Sequence, residues 1–313
     1  MFTKIRDQFD NDGTVLRKST PRKKTKRTDQ AKDLVKACLE ETSTSSLRRV
    51  AQETSIKYTT LRKIVKEDLN LKFYHYSSVQ PLSETHKSQR IQFCNWLLEQ
   101  PDNFVQQVIW TDEKTFCLKQ KPHRRNDGVW SKKNPHLIVE TNDRNDLKVM
   151  LFVAIVNGKI PVVHAFLDNT GRQQSVDGSC YLSMLQDSVW PKLRHCATRL
   201  SLWWMQDGAM PHCTLPVLRF LEKKFGNRVI SRRTAIPWPA HSPDLNVLDF
   251  HFWALAQRRV FEVKPATIDE LVTCIKDFAG SYSEESLRKA CSSVLKRASL
   301  CLEAQGGHFQ HQL

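Results

Sequence analysis

Three aspartates stand where a folded chain could put their charge to chemical use. Asp112 ends the apolar segment VIWTD, and Asp207 ends the apolar segment LWWMQD. A carboxylate at the end of a buried strand is expected at the rim of the sheet, where open α/β sheets place their functional sites. Asp249 shares one face of a helical pattern with Leu245 and Phe252. It therefore interrupts an apolar stripe, a costly position for a carboxylate unless it meets a cation.

The chemistry open to three converging carboxylates is metal-assisted phosphoryl transfer. Like charges at close range repel each other, and hard divalent cations with oxygen ligands, Mg²⁺ or Mn²⁺, remove that repulsion. Two such ions can activate a nucleophile and stabilise the leaving oxygen at a phosphodiester. The alternative is that each aspartate is an ordinary acid at a sheet rim or a helix end.

Glu113 is expected to point away from Asp112, because side chains alternate along a strand. Asp244 is expected to be a helix-capping acid.

The composition favours a partner rich in phosphate. The 313 residues include 48 Lys and Arg against 33 Asp and Glu, a net charge of +15 at pH 7, and such an excess is typical of proteins that bind nucleic acid. The longest apolar run, residues 149–156, is far shorter than a membrane span, so no membrane partner is expected. The nine cysteines form no CxxC pair, which argues against a disulfide framework or a zinc finger and suits a reducing compartment.

Basic residues concentrate in a segment before the first strong helical pattern. No acid occurs between Arg17 and Arg27, and the Ser, Thr and Pro residues of the segment disfavour a helix. We expect an extended linker over residues 17–28 that lies along a DNA backbone or in a minor groove. Its candidate DNA contacts are Arg22, Lys23, Lys24, Lys26 and Arg27. The alternatives are a solvated linker and a nuclear import signal, and the expected location of the protein is the nucleus.

Residues 29–70 carry the pattern of a helix-turn-helix domain. Three short helices are predicted, the first with Leu34 and Val35 inside and the third from Lys57 to Lys66 after a break at residues 54–56. A basic third helix after a tight turn can enter the major groove of DNA. The candidate contacts on its outer face are Lys57, Tyr58, Thr59, Thr60, Arg62 and Lys63. The alternative is a small helical bundle with a solvated basic face.

The remainder of the chain indicates an α/β domain. Residues 71–104 are expected to form a connector with one helix that also serves dimerisation. From residue 105 onward apolar strands alternate with helical segments, which is typical of an α/β core with a mixed sheet. The dipeptide Asn157-Gly158 between two apolar runs is a strong hairpin signal. A strand is expected over residues 105–112 and one continuous helix over residues 242–260.

Five short motifs together resemble one known family. They are WTDEKTF at 110–116, NDGVW at 126–130, QDGAMPH at 206–212, HSPDLNVLDFHFW at 241–253 and GGHFQH at 306–311. Their order and spacing are similar to those of transposases of the mariner superfamily, and the resemblance covers nearly the whole chain. It implies an RNase H-like fold for a DDE/D catalytic domain, preceded by helix-turn-helix DNA-binding units.

The resemblance also assigns roles to the three aspartates. Asp112 and Asp207 match the first and second catalytic residues of the family, and Asp249 matches the last, which is Glu or Asp across the superfamily. The 41 residues between Asp207 and Asp249 resemble the spacing of a minority branch with a wide gap and a final Asp. The sequence differs from the common family pattern at two positions near these aspartates. Gly208 stands where the family commonly has Asn, and Val247 where it commonly has Pro.

Cut-and-paste transposition is the activity that the resemblance implies. It requires two Mg²⁺ or Mn²⁺ ions, hydrolyses double-stranded DNA at the terminal inverted repeats, and joins the freed 3′-hydroxyl to target DNA at TA, with a homodimer as the acting species. Residues 1–16 would then be the remnant of a first helix-turn-helix, so we expect poor recognition of the transposon end, and residues 105–313 would be the catalytic domain. The alternative function is a catalytically idle, transposase-derived DNA-binding protein.

Overall fold

Two compact units, residues 1–78 and residues 79–313, make up the chain in a computed structural model. The structure describes Arg6, Phe9 and the ranges 27–41, 45–73, 80–118, 147–195 and 199–313. The predicted DNA contacts Arg22, Lys23, Lys24 and Lys26 lie outside these residues, as do the NDGVW motif and most of residues 1–16. The predicted boundaries of the N-terminal remnant, the linker and the connector therefore stay predictions.

The first unit is built from short helices around a small apolar core. The helices span Asp29–Glu41, Leu47–Glu53 and Tyr58–Lys63, and the third continues as a wider π-helical turn over Ile64–Asp68. Ser46 caps the second helix, because its hydroxyl accepts a hydrogen bond from the amide of Arg49. The buried apolar side chains of this core are Val35, Val50, Leu61, Ile64 and Val65. The three predicted helices occur in the predicted order.

One inward-facing residue predicted for this unit is wrong. The helical pattern places Leu34 beside Val35 on the inner face, but the Leu34 side chain is 51% exposed. The two neighbouring helices have only seven and six residues. They are long enough to cover a narrow stripe of the first helix, and that stripe contains Val35 and not Leu34.

A five-stranded sheet forms the centre of the second unit. Its strands are β1 (Val108–Cys117), β2 (Lys148–Val156), β3 (Lys159–Phe166), β4 (Trp203–Met205) and β5 (Val229–Ile230). The order across the sheet is β3-β2-β1-β4-β5. The β1–β2 and β2–β3 pairs are antiparallel, whereas the β1–β4 and β4–β5 pairs are parallel. The predicted mixed sheet is therefore confirmed.

The predicted hairpin joins β2 and β3. Asn157 and Gly158 both have positive φ, 48° and 75°, as a two-residue hairpin turn requires. Nearly all of β2 is buried, because helices cover both faces of the sheet. This explains why the strand is apolar throughout instead of alternating with polar residues.

The two helical layers pack on separate apolar cores. One layer contains the helices Glu84–Leu98, Trp253–Val263, Ile268–Ser281 and Glu284–Glu303, and the other contains Gly178–Met184, Trp190–Leu193 and Leu215–Phe225. Along β1, Trp110 and Phe116 face the first layer and Ile109 faces the second. No helix in the described part of the chain is long and apolar enough to cross a membrane.

The bounds of β1 differ from the prediction. Residues Phe104–Gln107 form a helical turn, so the strand begins at Val108 and continues beyond Asp112 to Cys117. The reason lies in its neighbours. Parallel pairing with β4 ends at Trp110, but antiparallel pairing with β2 continues to Cys117 and holds a polar stretch in the sheet. Asp112 is therefore in the middle of its strand, yet just beyond the end of β4.

The segment 242–260 is not the continuous helix that its pattern predicts. Pro243–Leu245 form a 3₁₀ turn, Asn246 is extended, Leu248–Phe252 form a π-helical turn, and the α-helix begins only at Trp253. Side chains of the first turns bond to distant parts of the chain, as described below, and these long-range contacts override the local helical preference.

The helix expected as a connector belongs to the second unit. Phe93, Cys94 and Leu97 of Glu84–Leu98 are buried in the same core as Trp110 of β1. Ser83 caps this helix, because its hydroxyl accepts a hydrogen bond from the amide of His86. This cap fixes the first turn of the helix.

Candidate active site

One cleft of the second unit brings the three predicted aspartates together. Asp112, Asp207 and Asp249 all line a cavity of about 600 Å³. The first turns of the helix Glu84–Leu98 and the segment 237–243 also line this cavity. The lining is about equally polar and apolar, and it includes the side chain of Arg232.

Asp112 reaches the cleft from the face of β1 that packs on the first helical layer. Trp253, at the start of its helix, donates its indole N–H to Oδ2 of Asp112 over 2.6 Å. Burial raises the pKa of Asp112 well above its ordinary value, and the nearby charges of Asp249 and Glu113 raise it further. Asp112 is thus a carboxylate that lacks sufficient positive charge around it.

Asp249 lies in the π-helical turn Leu248–Phe252 and not in a buried stripe. Leu245 and Phe252 are buried, but the Asp249 side chain is exposed to the cleft, so the predicted common face is wrong. The break at Asn246 turns Asp249 away from the core. Although solvent reaches the side chain, the surrounding protein raises its pKa to about 6. Hydrogen bonding to Asp112 and the charge of Lys114 act in the opposite direction.

Asp207 follows β4 and is bound differently from the other two acids. The amide of Ala209 donates to its Oδ1 over 3.0 Å, and Nδ1 of His212 lies 2.6 Å from the same oxygen. Burial opposes ionisation of this group, but the hydrogen bond and charge of His212 prevail and lower its pKa. Asp207 is therefore ionised and already partnered by a cation.

His212 and Glu113 are site residues that the sequence analysis did not assign. The His212 side chain is buried, with Nε2 3.4 Å from Oε2 of Glu113 and its ring 4.2 Å from the ring of Tyr181. Burial alone would lower the pKa of His212, but Glu113 and Asp207 raise it to about 10. A charged imidazole therefore links Glu113 of β1 to Asp207, the second residue after β4. The alternation of β1 does turn Glu113 away from Asp112, and the QDGAMPH motif was the available signal for His212.

A buried amide holds this histidine in place. Gln206 is fully buried, and its Nε2 donates to the carbonyl of His212 over 2.9 Å. The oxygen of the same amide accepts from Tyr181 and from the Trp204 indole. Because the donor and the acceptor of the Gln206 amide are both hydrogen-bonded, this side chain fixes the turn that carries Asp207.

The donor set fits a hard divalent cation. It consists of carboxylate oxygens, which Mg²⁺ and Mn²⁺ prefer, and two of the carboxylates have raised pKa values. No group of three or more His, Cys, Asp or Glu side chains among the described residues is already arranged around one ion position.

One other predicted role is corrected by its surroundings. Asp244 does not cap a helix, because it is buried and paired with Arg90, and Ser242 makes no side-chain cap. In the first unit, the Arg27 side chain is bonded to Glu67 and Asp68. Its guanidinium is thus bonded to the last turn of the third helix, and its contact with DNA stays a prediction.

The outer face of the third helix is placed as predicted. Lys57, Tyr58, Thr59, Arg62 and Lys63 are exposed, and Thr60 is partly buried. Their contact with DNA stays a prediction.

Comparisons with known proteins give one relative in sequence and several in structure. No protein-family model matches the chain. The Homo sapiens protein "Histone-lysine N-methyltransferase SETMAR" is 22% identical over 289 residues, which cover 88% of this chain. The chain spans 39% of the length of that relative.

Several solved structures of Mos1 transposase match the chain. The "Crystal structure of the Mos1 mariner paired end complex with Mn" has a TM-score of 0.72 at 17% identity, over 98% of this chain and 88% of the other. The "Mos1 transposase paired-end complex with left transposon end" has a TM-score of 0.71 at 17% identity, over 97% and 87%. The catalytic domain of Mos1 alone has a TM-score of 0.57 at 17% identity, over 75% of this chain and all of the other.

These matches confirm the predicted fold class. The second unit has the mixed-sheet, RNase H-like fold of the Mos1 catalytic domain, and a helical unit precedes it as in the longer Mos1 structures. The family resemblance carried by the sequence motifs thus agrees with the fold.

Proposed function

We propose that this chain is a DNA transposase of the mariner superfamily that cuts and rejoins DNA with a divalent metal. The observation that carries the proposal is the convergence of Asp112, Asp207 and Asp249 on one cleft of an RNase H-like fold. Further support comes from the Mos1 structures, whose names include a transposon end, a strand transfer complex, Mn and Mg.

The three aspartates are the proposed metal ligands. A bound pair of Mg²⁺ or Mn²⁺ ions would supply Lewis acidity and a lowered pKa for attacking water. Asp112 is oriented for this role by the Trp253 indole, and Asp207 by the Ala209 amide. Asp249 lies on the cleft surface, where it is accessible to an incoming cation.

The cleft also offers a contact for the phosphate backbone. Arg232 lines the cleft next to Gly208. A Cβ on Gly208 would lie 3.1 Å from Cδ of Arg232, so the glycine that replaces the common Asn gives the arginine room. A guanidinium at this point can bind a phosphate in the bidentate manner.

The proposed substrate is double-stranded DNA bearing terminal inverted repeats, with TA as target. The net charge of +15 supports a nucleic-acid partner, and the exposed third-helix residues Thr59 and Arg62 are the proposed base contacts. A homodimer and a nuclear location belong to the same proposal.

The test is a cleavage assay with the full chain on DNA carrying the repeats that flank its gene. We expect strand nicks at the repeat end with Mn²⁺ or Mg²⁺, none with EDTA, and none with Asp112→Asn. Specific binding to the repeats without cleavage in any metal would instead favour the catalytically idle DNA-binding protein.

A further inference from the structure

A buried arginine joins three distant segments of the second unit. Arg90, in the helix Glu84–Leu98, is fully buried. Its Nη1 and Nη2 donate to the two carboxylate oxygens of Asp244, each over 2.7 Å. Its Nε donates to the carbonyl of Gly306 over 2.8 Å, and Nη2 also reaches the carbonyl of Gly307. The guanidinium is therefore satisfied by an acid on one side and by the C-terminal tail on the other.

The tail is shaped to meet this guanidinium. Gly306 has a φ of 75°, and a Cβ on it would lie 2.4 Å from the carbonyl oxygen of Lys87, so glycine is required there. Phe309 is buried with its ring 5.9 Å from Cζ of Arg90, and Nε2 of Gln310 lies 3.4 Å from Oδ2 of Asp244. The GGHFQH motif, to which the catalytic proposal gives no role, thus closes around the pair Arg90–Asp244.

The loop held by this pair leads directly to the third acid. Asp244 lies five residues before Asp249. Between them, Nδ2 of Asn246 lies 3.4 Å from the carbonyl of Thr111, which precedes Asp112 in β1. The Asn246 side chain also forms a hydrogen bond that lowers the pKa of Asp249. The loop is therefore fixed at one end by Arg90 and tied to the strand of the first acid at the other.

A second arginine braces the same loop from behind. Nη1 of Arg297 donates to the backbone carbonyl of Asp244 over 3.2 Å, and its guanidinium lies 3.7 Å from the ring centre of Phe250, the neighbour of Asp249. Buried ion pairs are poor sources of net stability, because desolvation opposes their attraction. Their strict bidentate geometry does fix the relative positions of the segments they join.

We propose that Arg90, through Asp244 and the 306–309 tail, is a positioning residue that sets Asp249 at the correct distance from Asp112. Neither Arg90 nor Asp244 lines the cleft, whereas Ser242, Pro243 and Asn246 of the held loop do. Arg90 therefore affects the acids through the segments that it holds and not by direct contact with the cleft. The inference rests on the proposed function, since it assumes that the acids share a metal.

Metal affinity in the full chain, without DNA, is the direct readout. Mn²⁺ is titrated into the protein, and the EPR signal of the free ion gives the dissociation constant. Arg90→Lys keeps the charge but loses the bidentate geometry, and Asp244→Asn keeps the shape but loses the charge. We expect each to weaken Mn²⁺ binding by roughly 10–100-fold, the range for residues that orient metal ligands from behind.

A matched control separates positioning from general loss of stability. Leu221 is buried in the core on the other face of the sheet, away from the loop. Leu221→Ala lowers the melting temperature but leaves Mn²⁺ affinity unchanged if the proposal is right. Wild-type affinity in Arg90→Lys, or an equal loss of affinity in Leu221→Ala, overturns the proposal.

A milder variant covers the case in which Arg90→Lys does not fold. Gln310→Ala removes only the contact of the tail with Asp244, and we expect a smaller loss of Mn²⁺ affinity, with an unchanged affinity overturning the proposal. Failure of this inference leaves a wild-type chain that binds Mn²⁺ and cuts DNA. Failure of the proposed function leaves a wild-type chain that does neither, and the inference fails with it.

Discussion

Replacing Asp249 by Asn is expected to stabilise the metal-free protein while abolishing cleavage. Asp249 and Asp112 are held together in a cleft that raises the pKa of both carboxyl groups. At neutral pH the folded chain must ionise Asp249 against burial and the nearby charge of Asp207, and an amide of the same shape removes that charge. The site thus favours metal binding over stability of the unliganded fold.

The size of the effect follows from the pKa of Asp249. Its value of about 6 in the folded chain exceeds the unfolded value by roughly two units, and each unit corresponds to about 1.36 kcal/mol. That gives an upper limit of about 3 kcal/mol, which solvent access to the cleft reduces to roughly 1 kcal/mol. A gain of this size raises the melting temperature by about 2–4 °C in a domain of this length.

The stabilising effect of Asp249→Asn should depend on pH. A carboxyl group whose pKa is higher in the folded than in the unfolded chain stabilises the fold below about pH 4, and this contribution is lost as the pH rises to about 6. Asp249→Asn should therefore melt above the wild type at pH 7 in EDTA and level with it at pH 4. The assay is thermal unfolding followed by circular dichroism.

Asp207→Asn is the matched control, because its effect should have the opposite sign. Asp207 is the partner of His212, whose pKa of about 10 keeps the imidazole charged at pH 7. Asp207→Asn should lower the melting temperature, because the buried His212 cation then keeps only one of its two carboxylate partners. Equal shifts for both variants, or destabilisation by Asp249→Asn at pH 7, would refute the electrostatic description of the cleft.

Three further predictions address the indole, the helical unit and a second histidine. Trp253→Phe removes the donor to Asp112 and should slow single-turnover cleavage by about 10–100-fold, with DNA affinity unchanged in a gel-shift titration. Arg62→Ala should reduce the binding free energy for the cognate repeat by about 1–3 kcal/mol and relax the sequence preference. Arg22→Ala should instead weaken binding to all sequences and reduce the salt dependence of binding. Equal losses of affinity on all sequences for both variants would contradict a third helix that reads bases. Burial lowers the pKa of His164, so its contribution to stability is present above about pH 6.5 and is lost as the pH falls. His164→Gln should therefore reduce the drop in melting temperature between pH 7 and pH 5, and an unchanged drop would contradict this.

Local sequence patterns predicted the parts of the fold that local physics determines. The Asn157-Gly158 turn and the apolar run of β2 define a hairpin without reference to the rest of the chain. The helix Leu215–Phe225 likewise ends at a local signal, because Gly226 follows its last residue.

The parts that were missed depend on partners far away in the sequence. Asp244 is typical of a helix cap until Arg90, 154 residues earlier, binds it. β1 continues past Asp112 because β2 pairs with it there. The link from Glu113 to Asp207 exists because His212 lies between them. No periodicity reports such contacts, although the family motifs located the three acids without them.

The central claim is that Asp112, Asp207 and Asp249 form one metal site for phosphodiester chemistry. Its most direct test is the anomalous difference map of a crystal of the full chain with its transposon-end DNA and Mn²⁺. The account predicts two peaks roughly 3.5–4 Å apart, within coordination distance of these three carboxylates and next to a DNA phosphate. Manganese bound elsewhere, or any one of the three carboxylates more than about 10 Å from both peaks, would contradict it.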